Sequence, residues 1–182
     1  MSSILTSRIA QRYLETVEHD AIDDLLAQWR SERPDVDAQP MAVVGRILRL
    51  AIHLERRVNE ALQPYGLANP GFDVLATLRR HGKPYAMTPT ELGRSVMLSS
   101  GAMTNRIDQL EKLSLVERRP DPNDRRSLKV KLTAKGLKIV EKAVPTRFAE
   151  AREAIRALTR TEQKQLQGLL RKILLDLDAP GA

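Results

Sequence analysis

Ser100, Asn105, Arg106 and Gln109 share one side of a helical pattern whose other side carries Met103, Ile107 and Leu110. Hydroxyl, amide and guanidinium groups in a row on an exposed helix face can hydrogen-bond base edges in a DNA major groove. Beyond that helix, Leu128, Val130 and Leu132 alternate with Lys129 and Lys131. This period of two predicts one arm of a β-hairpin, paired with residues 116–119 across the turn PDPNDRRS. Arg125 and Arg126 fall near its tip. A cationic ribbon beside a polar helix face is an arrangement for gripping DNA, with phosphate contacts fixing position and base contacts fixing sequence.

These side chains need elements to hold them. Thr88-Pro89-Thr90-Glu91 reads as a capping box with proline in the first turn, opening a short helix with Leu92 and Val96 inward. Ser99 then caps the candidate recognition helix. Upstream, Asn69-Pro70 starts a helix carrying Phe72, Leu75 and Leu78, which Gly82 stops. Helix, turn, helix and basic hairpin in this order make a winged helix-turn-helix.

Longer elements flank the module. At the N-terminus, Ile9, Tyr13 and Val17 share a helical face. Asp20 can cap a second helix bearing Ile22, Leu25, Leu26 and Trp29. Residues 32–40, ERPDVDAQP, read as a linker, with Pro40 placed to open the next helix. An apolar stripe then runs through Val44, Ile47, Leu48, Ala51, Leu54, Val58 and Leu62. After Thr133, Leu137, Val140, Val144, Phe148 and Ile155 resume the helical spacing, with Pro145 expected to kink or interrupt it. Thr159 to Glu162 is another capping box, opening a helix with Leu166, Leu169, Leu170, Ile173, Leu174 and Leu177. Both stripes are too apolar to be left in water, and a two-fold homodimer built from them suits a two-fold DNA site. The expected fold is mainly α (α+β), with a two-stranded wing. Residues 1–38 form an arm, 39–66 a dimerisation helix, 67–136 the DNA-binding region and 137–182 the C-terminal dimerisation helices.

Charge supports this division. Residues 71–140 carry 14 Lys and Arg against 7 Asp and Glu, and so hold the whole net charge of +7. Residues 1–38 are acidic, with 4 basic and 8 acidic side chains. An excess confined to one segment is an electrostatic footprint for phosphate. With no cysteine, disulfides, thiolate zinc sites and thiol redox sensing are excluded. His19, His53 and His81 lack metal-ligand spacing, and no nucleophile–base set suggests an enzyme, so neither metal nor cofactor is expected. With no apolar run of spanning length and no signal-peptide pattern, a cytoplasmic location away from the membrane is expected.

The segment LVERRPDPNDRRSLKVKLTAKG (115–136), with GLANPGFDVLATLRRHG (66–82), resembles the MarR family of bacterial transcription factors, over roughly residues 40–177. The resemblance implies an obligate homodimer on a pseudo-palindromic double-stranded operator, its recognition helices in successive major grooves roughly 34 Å apart. It places Ser99, Ser100, Gly101, Thr104, Asn105 and Arg106 at recognition-helix positions. It also implies that Arg126 enters the minor groove braced by Asp124, while Arg125, Lys129 and Lys131 contact phosphate. The Trp-bearing N-terminal extension is similar to the urate-responsive, PecS-like branch of the family. There the matching positions, Trp29, Asp73, Arg106 and Arg118, imply a pocket for urate or a related purine. Aromatic contact and forked guanidinium donors suit such a planar anion. The resemblance thus implies a repressor released by an anionic aromatic effector. A constitutive DNA-binding protein and a regulator answering to a phenolic compound remain alternatives.

Overall fold

The computed structural model describes residues 19–96, 100–121 and 124–179; the helical face of Ile9, Tyr13 and Val17 and the cap at Ser99 lie outside them. The chain divides into two compact units, Met1–Leu54 and Glu55–Ala182.

In the first unit, helix α1 (Ala21–Glu32) opens on a capping box between Asp20 and Asp23. The Asp20 carboxylate accepts from the Ile22 N–H at 2.7 Å, satisfying a donor that the helix start leaves unpaired. Ile22 and Leu26 are buried on one face. Ile22 packs over Gly45 of helix α2 (Met41–Leu62), where an added Cβ would meet the Ile22 Cδ1 at 3.2 Å. Arg46, one residue on, donates from Nε to Asp20 at 2.9 Å and from Nη2 to Asp23 at 2.7 Å. A small residue and a forked cation thus join the two helices. Helix α2 begins one residue after Pro40, inside the ordinary uncertainty of a helix end.

The second unit is built around one aliphatic core. Val58 and Leu62 are buried at the end of α2, and a short turn, Gln63–Tyr65, closes at Gly66 with φ of 68°. Helix α3 (Asn69–Arg80) buries Phe72, Val74, Leu75 and Leu78, and Gly82 leaves it with φ of 88°. Strand β1 (Ala86–Met87), helices α4 (Pro89–Val96) and α5 (Ser100–Lys112), strands β2 (Val116–Asp121) and β3 (Asp124–Leu132), and helices α6 (Ala134–Ala154) and α7 (Arg160–Leu177) follow. Leu92, Met103, Ile107, Val116, Val130 and Val140 complete the core.

The expected two-stranded wing is the β2–β3 hairpin, and a third strand, β1, joins it in an antiparallel sheet ordered β1-β3-β2. Ala86 and Met87 pair with Lys131 and Val130. A two-residue strand is too short to show alternation, so only its tertiary pairing makes it visible. Pro145 does not interrupt α6, which is a single helix from Ala134 to Ala154. The lost N–H bond is offset on both sides. Val140 and Ala143 are buried before the proline. After it, Tyr65 and Thr146 share a 2.6 Å hydroxyl hydrogen bond, and Arg57 holds Glu150 at 2.5 Å.

Candidate nucleic-acid interface

Helix α4 is set by its cap. The Thr88 N–H donates to the Glu91 carboxylate at 2.7 Å, and the Glu91 N–H donates to the Thr88 hydroxyl at 3.2 Å. The Thr88 N–H, and after it the Thr88 hydroxyl donating to the same oxygen at 3.0 Å, hold the Glu91 carboxyl below the usual carboxylate range. Leu92 then anchors α4 in the core. Helix α5 lies over the same core through Met103, Ile107 and Leu110, the face that its spacing predicts. Gly101, Thr104 and Asn105 are exposed on its other side. At Gly101 an added Cβ would meet nothing within 4 Å, so a surface can approach the backbone there closely.

Arg106 has a mixed setting. Its Nη1 donates to Gln109 at 3.0 Å, while its Nε is enclosed without a partner among the described residues. The guanidinium is therefore turned along the helix and only partly open to solvent. Ser99 and the side chains of Ser100, Asp124, Arg125 and Arg126 lie outside the described residues.

The wing is anchored at its base by charge. Arg118 donates to Glu111 and to Asp108, both on α5, and its backbone N–H reaches Glu111 at 3.2 Å. Thr133 fastens the other strand, donating its hydroxyl to the Ser114 carbonyl at 2.8 Å while accepting from the Gly136 N–H at 3.0 Å. Gly136 lies so close to the loop after α5 that an added Cβ would stand 1.9 Å from the Leu115 carbonyl oxygen. Only glycine fits there. Recognition helix, wing base and the start of α6 are thereby joined at one knot.

Further out, the two hairpin lysines differ. The Lys129 Nζ is held by Asp121 at 3.0 Å, whereas Lys131 faces Glu117 across the β2 pairing. Leu128 is exposed although it continues the apolar alternation, because the core ends at Val130.

The residues implied for an effector have separate surroundings. Trp29 is a half-exposed side chain of α1 in the first unit. Asp73 lines a cleft of about 550 Å³ between α3 and α6, together with Phe72, Arg80, Val144, Arg147 and Phe148. Burial pushes its carboxyl above the usual range, against the pull of Arg147 and Arg80. Arg106 and Arg118 are not among the residues lining this cleft; Arg118 is occupied by its two carboxylates. The cleft-lining Arg147 and the carboxylates holding Arg118 carry no local sequence signal, since each meets its neighbour only through the chain's tertiary path.

Comparison with known proteins agrees with this architecture. The MarR family profile matches residues 67–128. The chain is 34% identical to the HTH-type transcriptional regulator PecS of Dickeya dadantii, over 89% of this chain and 94% of that protein. It is 33% identical to the multiple antibiotic resistance protein MarR of Escherichia coli, over 72% of this chain and 90% of that one. Among solved structures, a mutant MarR from Escherichia coli complexed with operator DNA superposes with a TM-score of 0.68 at 32% identity, covering 76% of this chain and 99% of that chain. AbsC, a MarR family regulator from Streptomyces coelicolor, gives a TM-score of 0.71 at 25% identity, covering 78% and 96%. These regulators are not enzymes. With its winged helix-turn-helix, its basic reading segment and these relatives, the chain belongs to the MarR family of DNA-binding transcriptional regulators.

Proposed function

We propose that the protein is a homodimeric repressor that binds a pseudo-palindromic operator and is released by a small anionic aromatic effector, urate or a related purine. The observation that carries the DNA-binding part is the charge map: the entire +7 excess falls on residues 71–140, the stretch that folds into α3 to β3 and the start of α6. Ser99, Ser100, Gly101, Thr104, Asn105 and Arg106 face the major groove in this reading. Arg126, braced by Asp124, enters the minor groove, and Arg125, Lys129 and Lys131 meet phosphate.

Dimerisation is supported by aliphatic side chains that a single copy leaves in solvent. Leu48, Leu50 and Ile52 on α2 and Leu169, Leu174 and Leu177 on α7 are each more than half exposed. Such large apolar faces mark interaction surfaces. Two copies joined through residues 39–66 and 137–182 would present paired recognition helices to operator DNA, the partner in the solved MarR complex. Among the described residues no helix is long and apolar enough to cross a membrane. A regulator of this kind works in the cytoplasm, where the chromosome is.

The effector part rests on the likeness to PecS and on Trp29, Asp73, Arg106 and Arg118. A mobility-shift titration with operator DNA tests the whole reading. DNA affinity should fall steeply with salt, and urate should release the DNA. Release by a phenolic acid instead would favour the phenolic alternative, and no release by either would leave a constitutive DNA-binding protein. Affinity indifferent to salt would remove the DNA-binding reading.

A further inference from the structure

Two amides on the exposed side of α5 stand in different company. Asn105 and Gln109 are one helical turn apart, on the same face and about 6 Å from each other along the axis. The Asn105 amide has no hydrogen-bond partner among the described residues, whereas the Gln109 Oε1 accepts from the Arg106 Nη1 at 3.0 Å. An exposed amide can ordinarily turn either its oxygen or its NH2 outward. A guanidinium has donors only, so it tolerates one of these orientations: oxygen towards Arg106, NH2 away from it. The cation is itself restrained. Arg106 is half-buried, its Nε is enclosed, and among the described residues no carboxylate competes for it.

We infer that Arg106 is a positioning residue that holds the Gln109 amide with its NH2 towards the major groove, and that this makes Gln109 a reader of guanine. The inference rests on the DNA-binding reading and adds to it the base that one side chain selects. In the major groove guanine presents two acceptors, N7 and O6; adenine presents the N7 acceptor beside the N6 amino donor. An unrestrained Asn or Gln matches adenine with its oxygen and NH2 together. In Gln109 the oxygen is already engaged by a cation, so the adenine amino group would meet a donor-rich, positive edge. The acceptors of guanine meet the NH2 instead, and the nearby Arg106 charge favours them. Asn105, with no such tie, keeps the adenine match. Base pairs are about 3.4 Å apart along the duplex, so the two contacts fall on the order of two steps apart.

The test is selection of binding sites from a random duplex-DNA pool by the full chain, as wild type, Gln109→Ala, Arg106→Met and Arg106→Lys, with base preferences then measured by mobility shift. Gln109→Ala, a change at an exposed side chain, should erase the preference at one base pair of each half-site and so mark the position. There wild type should favour guanine over adenine by about tenfold. Arg106→Met removes the donor and keeps an unbranched stem, and the same position should turn to adenine by about fivefold. Arg106→Ala should behave alike and stands in if Arg106→Met does not fold. Arg106→Lys restores a donor and should return guanine. A wild-type preference for adenine at that position, or guanine retained in Arg106→Met, overturns the inference and leaves the DNA-binding reading standing. So does a Gln109→Ala profile identical to wild type. Loss of all selection in Arg106→Met at the wild-type melting temperature also overturns it, since Arg106 would then be the contact itself. If wild type selects no sequence and its affinity is indifferent to salt, the DNA-binding reading falls too.

Discussion

Leu62, Leu75, Leu78 and Leu92 are sealed from solvent around the helix-turn-helix, whereas Leu169, Leu174, Leu175 and Leu177 on α7 remain more than half exposed. Both sets come from helices, and α4 and α7 each open on a capping box, at Thr88 and at Thr159. The difference lies in what the rest of the chain supplies. Around the reading lobe, α3, α5, α6 and the sheet contribute facing side chains, so burial is complete within one copy. Along α7, no described residue of the same chain covers the outer leucines. A lobe that satisfies itself can hold reading side chains in fixed positions; a stripe that does not is, in the proposed dimer, what would set how two lobes are spaced.

Loss of the partner should have the largest effect. Leu170→Glu with Leu174→Glu places two carboxylates in the α7 stripe, and burying an unpaired charge costs several kcal/mol. Operator affinity should fall on the order of 100-fold or more, with the sedimenting species reduced to one chain. If mass and affinity stay unchanged, the stripe is not the interface and the contrast with the lobe loses its meaning.

Next comes the self-sufficient lobe. Gly136→Ala forces a methyl group against the Leu115 carbonyl. Overpacking of that kind should cost about 3 kcal/mol, read from the midpoint of urea unfolding. A cost near zero would mean that the knot between wing base and α6 is loose.

A smaller effect separates the two hairpin lysines. Lys131→Ala should lower the slope of log affinity against log salt by about 1, as loss of one phosphate contact does. Lys129→Ala should lower it less, because Asp121 already neutralises that ammonium. Equal losses would show that the Asp121 pair opens on DNA.

The mildest test is acid. Asp20 is held below the usual carboxylate range first by the Ile22 N–H and then by Arg46; Asp23 is lowered chiefly by Arg46. A depressed folded value means that this stabilisation is complete above the ordinary aspartate range, about 3.9, and is lost as pH falls through the lower folded value. Trp29, the chain's one tryptophan, reports the arm. Its emission should change only below about pH 4. In Arg46→Ala the altered emission should already be present at neutral pH, and a wild-type spectrum there would show that α1 is held without the clamp.

Much of this organisation was legible in the sequence. Capping boxes at Thr88 and Thr159, the cap at Asp20, and the inward faces of α3 and α5 follow from interactions spanning one or two helical turns. The hairpin register follows from alternation at Leu128 to Leu132. Strand β1 was not legible, because two residues carry no period. Whether Pro145 would kink or interrupt α6 was not legible, and the helix is uninterrupted, because the bonds beside the proline come from Tyr65 and Arg57, far away in the chain.

The site divides in the same way. Sequence alone determined which segment is basic, which helix face is polar and that Asp73, Arg106 and Arg118 belong to the reading half of the chain. Only the tertiary structure decided that Arg118 is tied to Asp108 and Glu111, and that Asp73 shares its cleft with Arg147 and Phe148. The physical reason is range. Helix periods, caps and strand alternation are written in neighbours a few residues apart, whereas the company of a charged side chain depends on where the whole chain returns.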